Sequence, residues 1–120
     1  MSTAEIVTAY LQAVEAHRLD DVAAMLHDDI VVIEHPNKLN PNGARYDKAA
    51  IRAAGERGAK LMTRERYEAR QLIVDGVRAV ALIDWTGEIT TGQTMRAQIC
   101  SVIEVRDGKI WWQEQYDCFH

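Results

Sequence analysis

Hydrophobic and polar residues follow two rhythms along this chain, and the change from one to the other near Thr63 divides it. Before that point the dominant period is helical. Ile6, Val7, Tyr10, Leu11, Ala13 and Val14 recur at helical spacing, with Glu5, Thr8, Gln12 and Glu15 opposite them, which predicts an amphipathic helix capped by Ser2 or Thr3. Behind Asp20 or Asp21, the edge formed by Val22, Met25 and Leu26 predicts a shorter helix ending near His27. A third helix starts at Asp47 and carries Ile51, Ala54, Gly55, Gly58, Leu61 and Met62 on one face. Its two glycines each weaken it by up to about 1 kcal/mol relative to alanine, and close packing against a sheet would explain them. Between the second and third helices, Ile30, Val31, Val32 and Ile33 form a β-branched run apolar on both faces, hence a buried strand. That run stops at Glu34, His35 and Pro36, and Asn37, Asn40, Pro41, Asn42 and Gly43 then shape a loop suited to a pocket rim.

From Thr63 onward the period is two. Asp75-Gly76 and Asp107-Gly108 are short-hairpin dipeptides, joining a strand of about Arg64 to Val74 with one of Val77 to about Thr86, and Thr94 to Arg106 with Lys109 to Phe119. A two-residue turn at Asp107-Gly108 sets Arg106 opposite Lys109, and therefore Cys100 opposite Gln115, Gln98 opposite Asp117 and Val102 opposite Gln113. One face of this hairpin then carries Gln98, Cys100, Gln113, Gln115 and Asp117, and the other Ile99, Ile103, Val105, Ile110, Trp112 and Tyr116. The polar face is assigned to a helix-roofed cavity and the apolar one to contact with a second copy of the chain. This register separates Cys100 from Cys118, which argues against a disulfide between them. The series Arg64, Glu65, Arg66, Glu68 and Arg70 reads as a solvated sheet edge.

Composition narrows the functional classes. At 120 residues the chain reads as one domain, 1–120, able to bury roughly two-thirds of the surface its unfolded form exposes. A net charge of −4 without a basic run argues against nucleic acid, and no apolar run approaches the length of a membrane span. The N-terminus lacks a signal-peptide layout, so a soluble, cytoplasmic protein is expected. His17, His27, His35 and His120 show no i, i+4 metal pair, and His35 with Asp117 would be a two-ligand site, so neither metal nor cofactor is expected.

Particular stretches in this order carry a family likeness: Tyr10-Leu11-Gln12-Ala13-Val14 followed by Leu19-Asp20, then Asp28-Asp29, Glu34-His35-Pro36, Gly43 with Asp47 and Ile51, and Asp107-Gly108-Lys109-Ile110. Over nearly its whole length the chain resembles the NTF2-like superfamily, which includes ketosteroid isomerases and SnoaL-like polyketide cyclases. The resemblance implies an α+β, cystatin-like cone in which three N-terminal helices pack on a curved, mostly antiparallel sheet. It also implies a small polar or carbonyl-containing ligand in a central cavity, a homodimer, and proton transfer next to a carbonyl without a cofactor. A non-catalytic ligand-binding or dimerisation module is the other reading.

Carried over residue by residue, the likeness matches the isomerases' helical tyrosine at Tyr10, puts His35 at the position of their base and Cys100 at that of a second donor. Both latter positions depart from the isomerase pattern, and a thiol donates weakly. His35 is taken as the residue facing the cavity in preference to Glu34, with Asp117 as the alternative base. Gln98, Cys100, Trp111, Gln113 and Gln115 are taken as the ligand-contacting set. Tyr10 also reads simply as a core residue with a satisfied hydroxyl.

Overall fold

The computed structural model describes residues 1–120, and its elements are laid out as the two rhythms dictate: α1 (Thr3–Glu15), α2 (Leu19–Met25), β1 (Leu26–Glu34), β2 (Ala44–Tyr46), α3 (Lys48–Leu61), β3 (Met62–Asp75), β4 (Arg78–Ile89), β5 (Thr94–Arg106) and β6 (Lys109–Phe119). Helix α1 opens on a full capping box. Ser2 Oγ accepts from the Glu5 N–H while the Ser2 N–H donates to Glu5 Oε1 at 3.0 Å. Asp47 caps α3 by accepting from the Ala50 N–H at 2.8 Å. In α2 the first position is Leu19, and Arg18 at the cap makes no side-chain hydrogen bond, so neither Asp20 nor Asp21 caps it.

The six strands form one sheet in the order β2-β1-β6-β5-β4-β3. All neighbours are antiparallel except β1 and β6, which run parallel and bring the chain's early strand beside its last one. Three helices cover one face of this curved, open sheet. Val7, Leu26, Ile30, Ile83, Ile103 and Ile110 sit between the layers at 2% exposure or less and form the centre of the core. The three-residue β2 was not anticipated; it fills the short gap between the loop ending at Gly43 and the Asp47 cap. Gly55 owes its place to a helix, not the sheet: a Cβ there would meet Leu19 Cδ2 at 2.8 Å. Around Gly58 the space is open, so packing does not explain it.

At the last hairpin Asp107 (φ 54°) and Gly108 (φ 74°) both adopt left-handed conformations, the geometry of a type I′ turn, and Arg106 pairs with Lys109 as expected. Val105 still pairs with Ile110. Glu104, however, pairs with Trp112, so Trp111 is an extra residue in a β-bulge and the register shifts by one from there on. Cys100 therefore lies opposite Tyr116, Ser101 opposite Gln115, Ile99 opposite Asp117 and Ile103 opposite Gln113. This single insertion re-sorts the predicted faces. Gln113, Gln115 and Asp117 face inward, but among Ile99, Ser101 and Ile103. Gln98 and Cys100 face outward, beside Trp112, Tyr116 and Cys118. The expected apolar dimer face is split, because Ile99 (6% exposed) and Ile103 (0%) lie beneath the helices while Trp112 and Tyr116 stay outside. Both free thiols, Cys100 and Cys118, share the outer face instead of lying on opposite ones.

Candidate functional site

Alternation along β1 decides which of the two residues before Pro36 enters the cone. Val32 aligns with Gln113 and Glu34 with Gln115, and aligned residues of neighbouring strands point the same way, so Glu34 is the inward one. Its Oε1 accepts from the Tyr46 hydroxyl at 2.9 Å and its Oε2 from Asn37 Nδ2 at 2.8 Å. His35 lands on the outer face, stacked on Tyr116 with ring centroids 4.3 Å apart and with Nε2 3.0 Å from Glu114 Oε2. Tyr10 reaches the inner face from α1. His35 and Tyr10 are thus separated by the sheet, and the expectation that they converge on one ligand is corrected: the parity of Ile30 and Val32, both turned to the helices, carries Glu34 inward with them.

The inner face carries a directed chain of hydrogen bonds. The Tyr10 hydroxyl donates to Gln113 Oε1 (2.9 Å), Gln113 Nε2 donates to Gln115 Oε1 (3.2 Å), and Gln115 Nε2 donates to Asp117 Oδ2 (3.2 Å). Ser101 Oγ accepts a long bond from Gln113 as well, at 3.5 Å. Period-two spacing of Gln113, Gln115 and Asp117 makes this ladder, since only alternate residues share a face. Its far end is unfinished: Asp117 Oδ1 is buried and has no hydrogen-bond partner. Burial raises the pKa of the Asp117 carboxyl, the Gln115 N–H opposes the rise, and the charge of Glu34 adds to it. At the other end, burial pushes the Tyr10 phenol up to about 12.

Beside this ladder lies a cavity of about 250 Å³ between the helices and β3. Val14, Leu19, Val22, Ile51 and Ala54 supply apolar walls, and Tyr10, Tyr67, Glu65 and His17 the polar lining. Tyr67 connects the two regions. It lines the cavity, and its hydroxyl is raised well above the ordinary phenol range, first by burial and then by the charges of Glu65 and, more weakly, Asp117. His17, Glu65 and Tyr67 were missed as site residues. Glu65, read as part of a solvated edge, shares the inward parity of Tyr67, while Arg66–Glu68 and the cross-strand pair Arg70–Asp84 do lie on the exposed side. His17 stands just past α1 with φ 54°, where glycine or asparagine is usual, and that misfit was the available signal.

Gln98 and Cys100, expected in the cavity, line an outer concavity with His35, Leu82, Tyr116 and Cys118, which Asp117 at the end of the ladder also borders. Trp111 lies in the bulge under the Arg106 guanidinium, 4.2 Å from its ring centre, and lines another outer concavity with Val102, Glu104 and Trp112. Of the expected ligand-contacting set, only Gln113 and Gln115 are on the inner face, with Tyr10 and Asp117.

Comparison with known proteins gives a consistent picture. The SnoaL-like domain family matches residues 7–113. No curated protein sequence matches the chain. Among solved structures it is similar to an LEH-like epoxide hydrolase of M. tuberculosis (22% identity, 98% of this chain and 82% of that one, TM-score 0.79). It also resembles IdmH of Streptomyces antibioticus, a proposed polyketide cyclase (14% identity, 98% and 92%, TM-score 0.81). A third is a hypothetical protein with a ketosteroid isomerase-like fold from Catenulispora acidiphila DSM 44928, in complex with trimethylamine (16% identity, 93% and 84%, TM-score 0.79). At these identities the likeness is one of fold: the NTF2-like cone of three helices on a curved mixed sheet.

Proposed function

The chain belongs to the SnoaL-like family, and from that premise we propose that it binds a small, mostly apolar molecule bearing a carbonyl in the wedge between helices and sheet, and moves a proton beside that carbonyl without a cofactor. The reaction class is that of an isomerase, cyclase or lyase. One observation carries this reading: the buried Oδ1 of Asp117, unpartnered at the end of the Tyr10–Gln113–Gln115–Asp117 ladder, on a carboxyl that holds its proton more tightly than an exposed one. In its protonated form, which burial favours, that carboxyl donates a hydrogen bond to an oxygen on which negative charge develops. Tyr10, at the other end of the ladder, lines the apolar-walled cavity, where excluded water strengthens such bonds.

Exchange of the acidic ring protons of 2-tetralone for deuterium, followed by proton NMR, tests the reading. Asp117→Ala should slow protein-dependent exchange by roughly 10²- to 10³-fold, the usual effect of removing one such donor. Binding of the ketone with no exchange above the buffer rate would favour a non-catalytic ligand-binding module. That second reading has its own support, since the Tyr10 hydroxyl is already committed to Gln113. As a further part of the proposal, two copies of the chain associate through the outer sheet face around Trp112 and Tyr116, the latter a large side chain left 47% exposed. Sedimentation should show a dimer at micromolar concentration and a monomer for Trp112→Glu.

A further inference from the structure

The cavity has a polar group that the Asp117 ladder does not use. His17 and Glu65 line it together, from the end of α1 and from β3, 48 positions apart in sequence, with His17 Nε2 hydrogen-bonded to Glu65 Oε2. Glu65 is held from its other side too, because Oε1 accepts from Trp85 Nε1 at 3.1 Å and from the Tyr67 hydroxyl at 3.3 Å. With three donors converging on it and only 12% of its side chain exposed, the carboxylate is fixed in place and fixes the imidazole in turn. When Nε2 carries the hydrogen shared with Glu65, Nδ1 carries the lone pair. Nδ1 has no protein hydrogen-bond partner and, unlike Asp117 Oδ1, is not sealed off.

The backbone at His17 points the same way. A residue with a Cβ at φ 54° is strained by about 1 to 2 kcal/mol relative to the right-handed region, and the position after a helix is one that glycine fills without that cost. Keeping an imidazole there is reasonable when the imidazole is what the site needs. Tyr10, Val14, Leu19, Val22 and Ile51 around it give a ligand's carbon skeleton an apolar seat.

We infer that His17 is the base of this cavity, its Nδ1 accepting a proton from the carbon next to a ligand's carbonyl, with Glu65 as the residue that positions it. The inference rests on the carbonyl-ligand reading above and adds the group that removes the proton. In the step, the C–H bond breaks and the Nδ1–H bond forms, while the electron pair moves into the new C–C double bond and the carbonyl π electrons onto oxygen. The resulting enolate faces an imidazolium paired with the Glu65 carboxylate. Return of the proton to the same carbon gives exchange with solvent, and to a conjugated carbon gives isomerisation, so no further reactant is consumed.

The test uses 2-tetralone with the full chain and follows binding by chemical-shift perturbation and turnover by deuterium exchange. His17→Asn keeps a residue that tolerates the left-handed backbone but removes the imidazole, and should lower exchange by at least 10²-fold while the ketone still binds. Glu65→Gln should give a smaller loss, and ring ¹⁵N shifts should show His17 leaving the Nε2–H tautomer, a change that a purely structural Glu65 would not produce. The pH profile of exchange should lose its imidazole limb in His17→Asn, with Tyr10, Lys48, Arg52, Glu65 and Tyr67, the other ionisable groups around the cavity, still present. Full exchange in His17→Asn alongside a deficit in Asp117→Ala would overturn the role of His17 and leave the carbonyl reading standing. Failure of the unmodified protein to bind the ketone or to exchange its protons would overturn both.

Discussion

On the inner face of β5 and β6, Ile99, Ser101, Ile103 and Gln113 are all at or below 6% exposure; one residue along, on the outer face, Glu114 is only half-buried and Tyr116 is 47% exposed. Both faces carry aromatic hydroxyls, amides and carboxylates, yet they treat them differently. Inside, the polar groups form a ladder in which nearly every atom is paired, because an unpaired one forfeits its water without compensation. Outside, the His35–Glu114–Tyr116 cluster is assembled from groups that water can also serve. Against that background the lone unpaired atom of Asp117 stands out, while the outer cluster, though richer in chemistry-bearing residues, is the ordinary dressing of a half-exposed sheet.

The sharpest break between the faces should come from the core. Ile103→Ala empties a fully buried position and is expected to cost about 2–5 kcal/mol in denaturant unfolding. Its outward neighbour Val102→Ala should cost less than about 1 kcal/mol. Equal losses would mean that β5 does not turn Ile103 to the helices and Val102 away from them. Next in size, Tyr10→Phe strands the buried Gln113 Oε1 and should cost about 1–3 kcal/mol, whereas Tyr116→Phe, on the outer face, should fall within about 0.5 kcal/mol.

Smaller again, and opposite in sign on the two faces, is the response to pH. Burial raises the folded-state pKa of Asp117 above its ordinary 3.8, so its stabilising contribution is whole below that value and is lost as pH rises through the folded-state pKa. Glu114 is the reverse. The hydrogen bond from His35, with smaller help from Trp112 and Tyr116, holds it below its ordinary 4.5, so its contribution is present above that value and lost as pH falls through the lowered one. Asp117→Asn should therefore gain stability relative to the parent protein between pH 3 and pH 7, and Glu114→Gln should lose it over the same interval. Unfolding curves at the two pH values check both signs.

Local chemistry made much of the fold readable in the sequence. The spacing of Ile6, Val7, Tyr10 and Leu11 marked α1 and its buried stripe, the β-branched run at Ile30 marked the heart of β1, and the hairpin dipeptides marked the turns, because each is set by interactions within a few residues. Tyr10, Gln113, Gln115 and Asp117 were legible as an inward set for the same reason: three of the four share one strand's parity. What lay beyond sequence was decided at longer range. Whether one residue at Trp111 bulges out depends on how β6 fits between β1 and β5, and that one residue put Gln98 and Cys100 on the outer face with Trp112 and Tyr116, away from Gln113, Gln115 and Asp117. The pairing of His17 with Glu65 required α1 to end over β3. A strand's period of two fixes which residues share a face, but only packing against other elements determines which face becomes the inside.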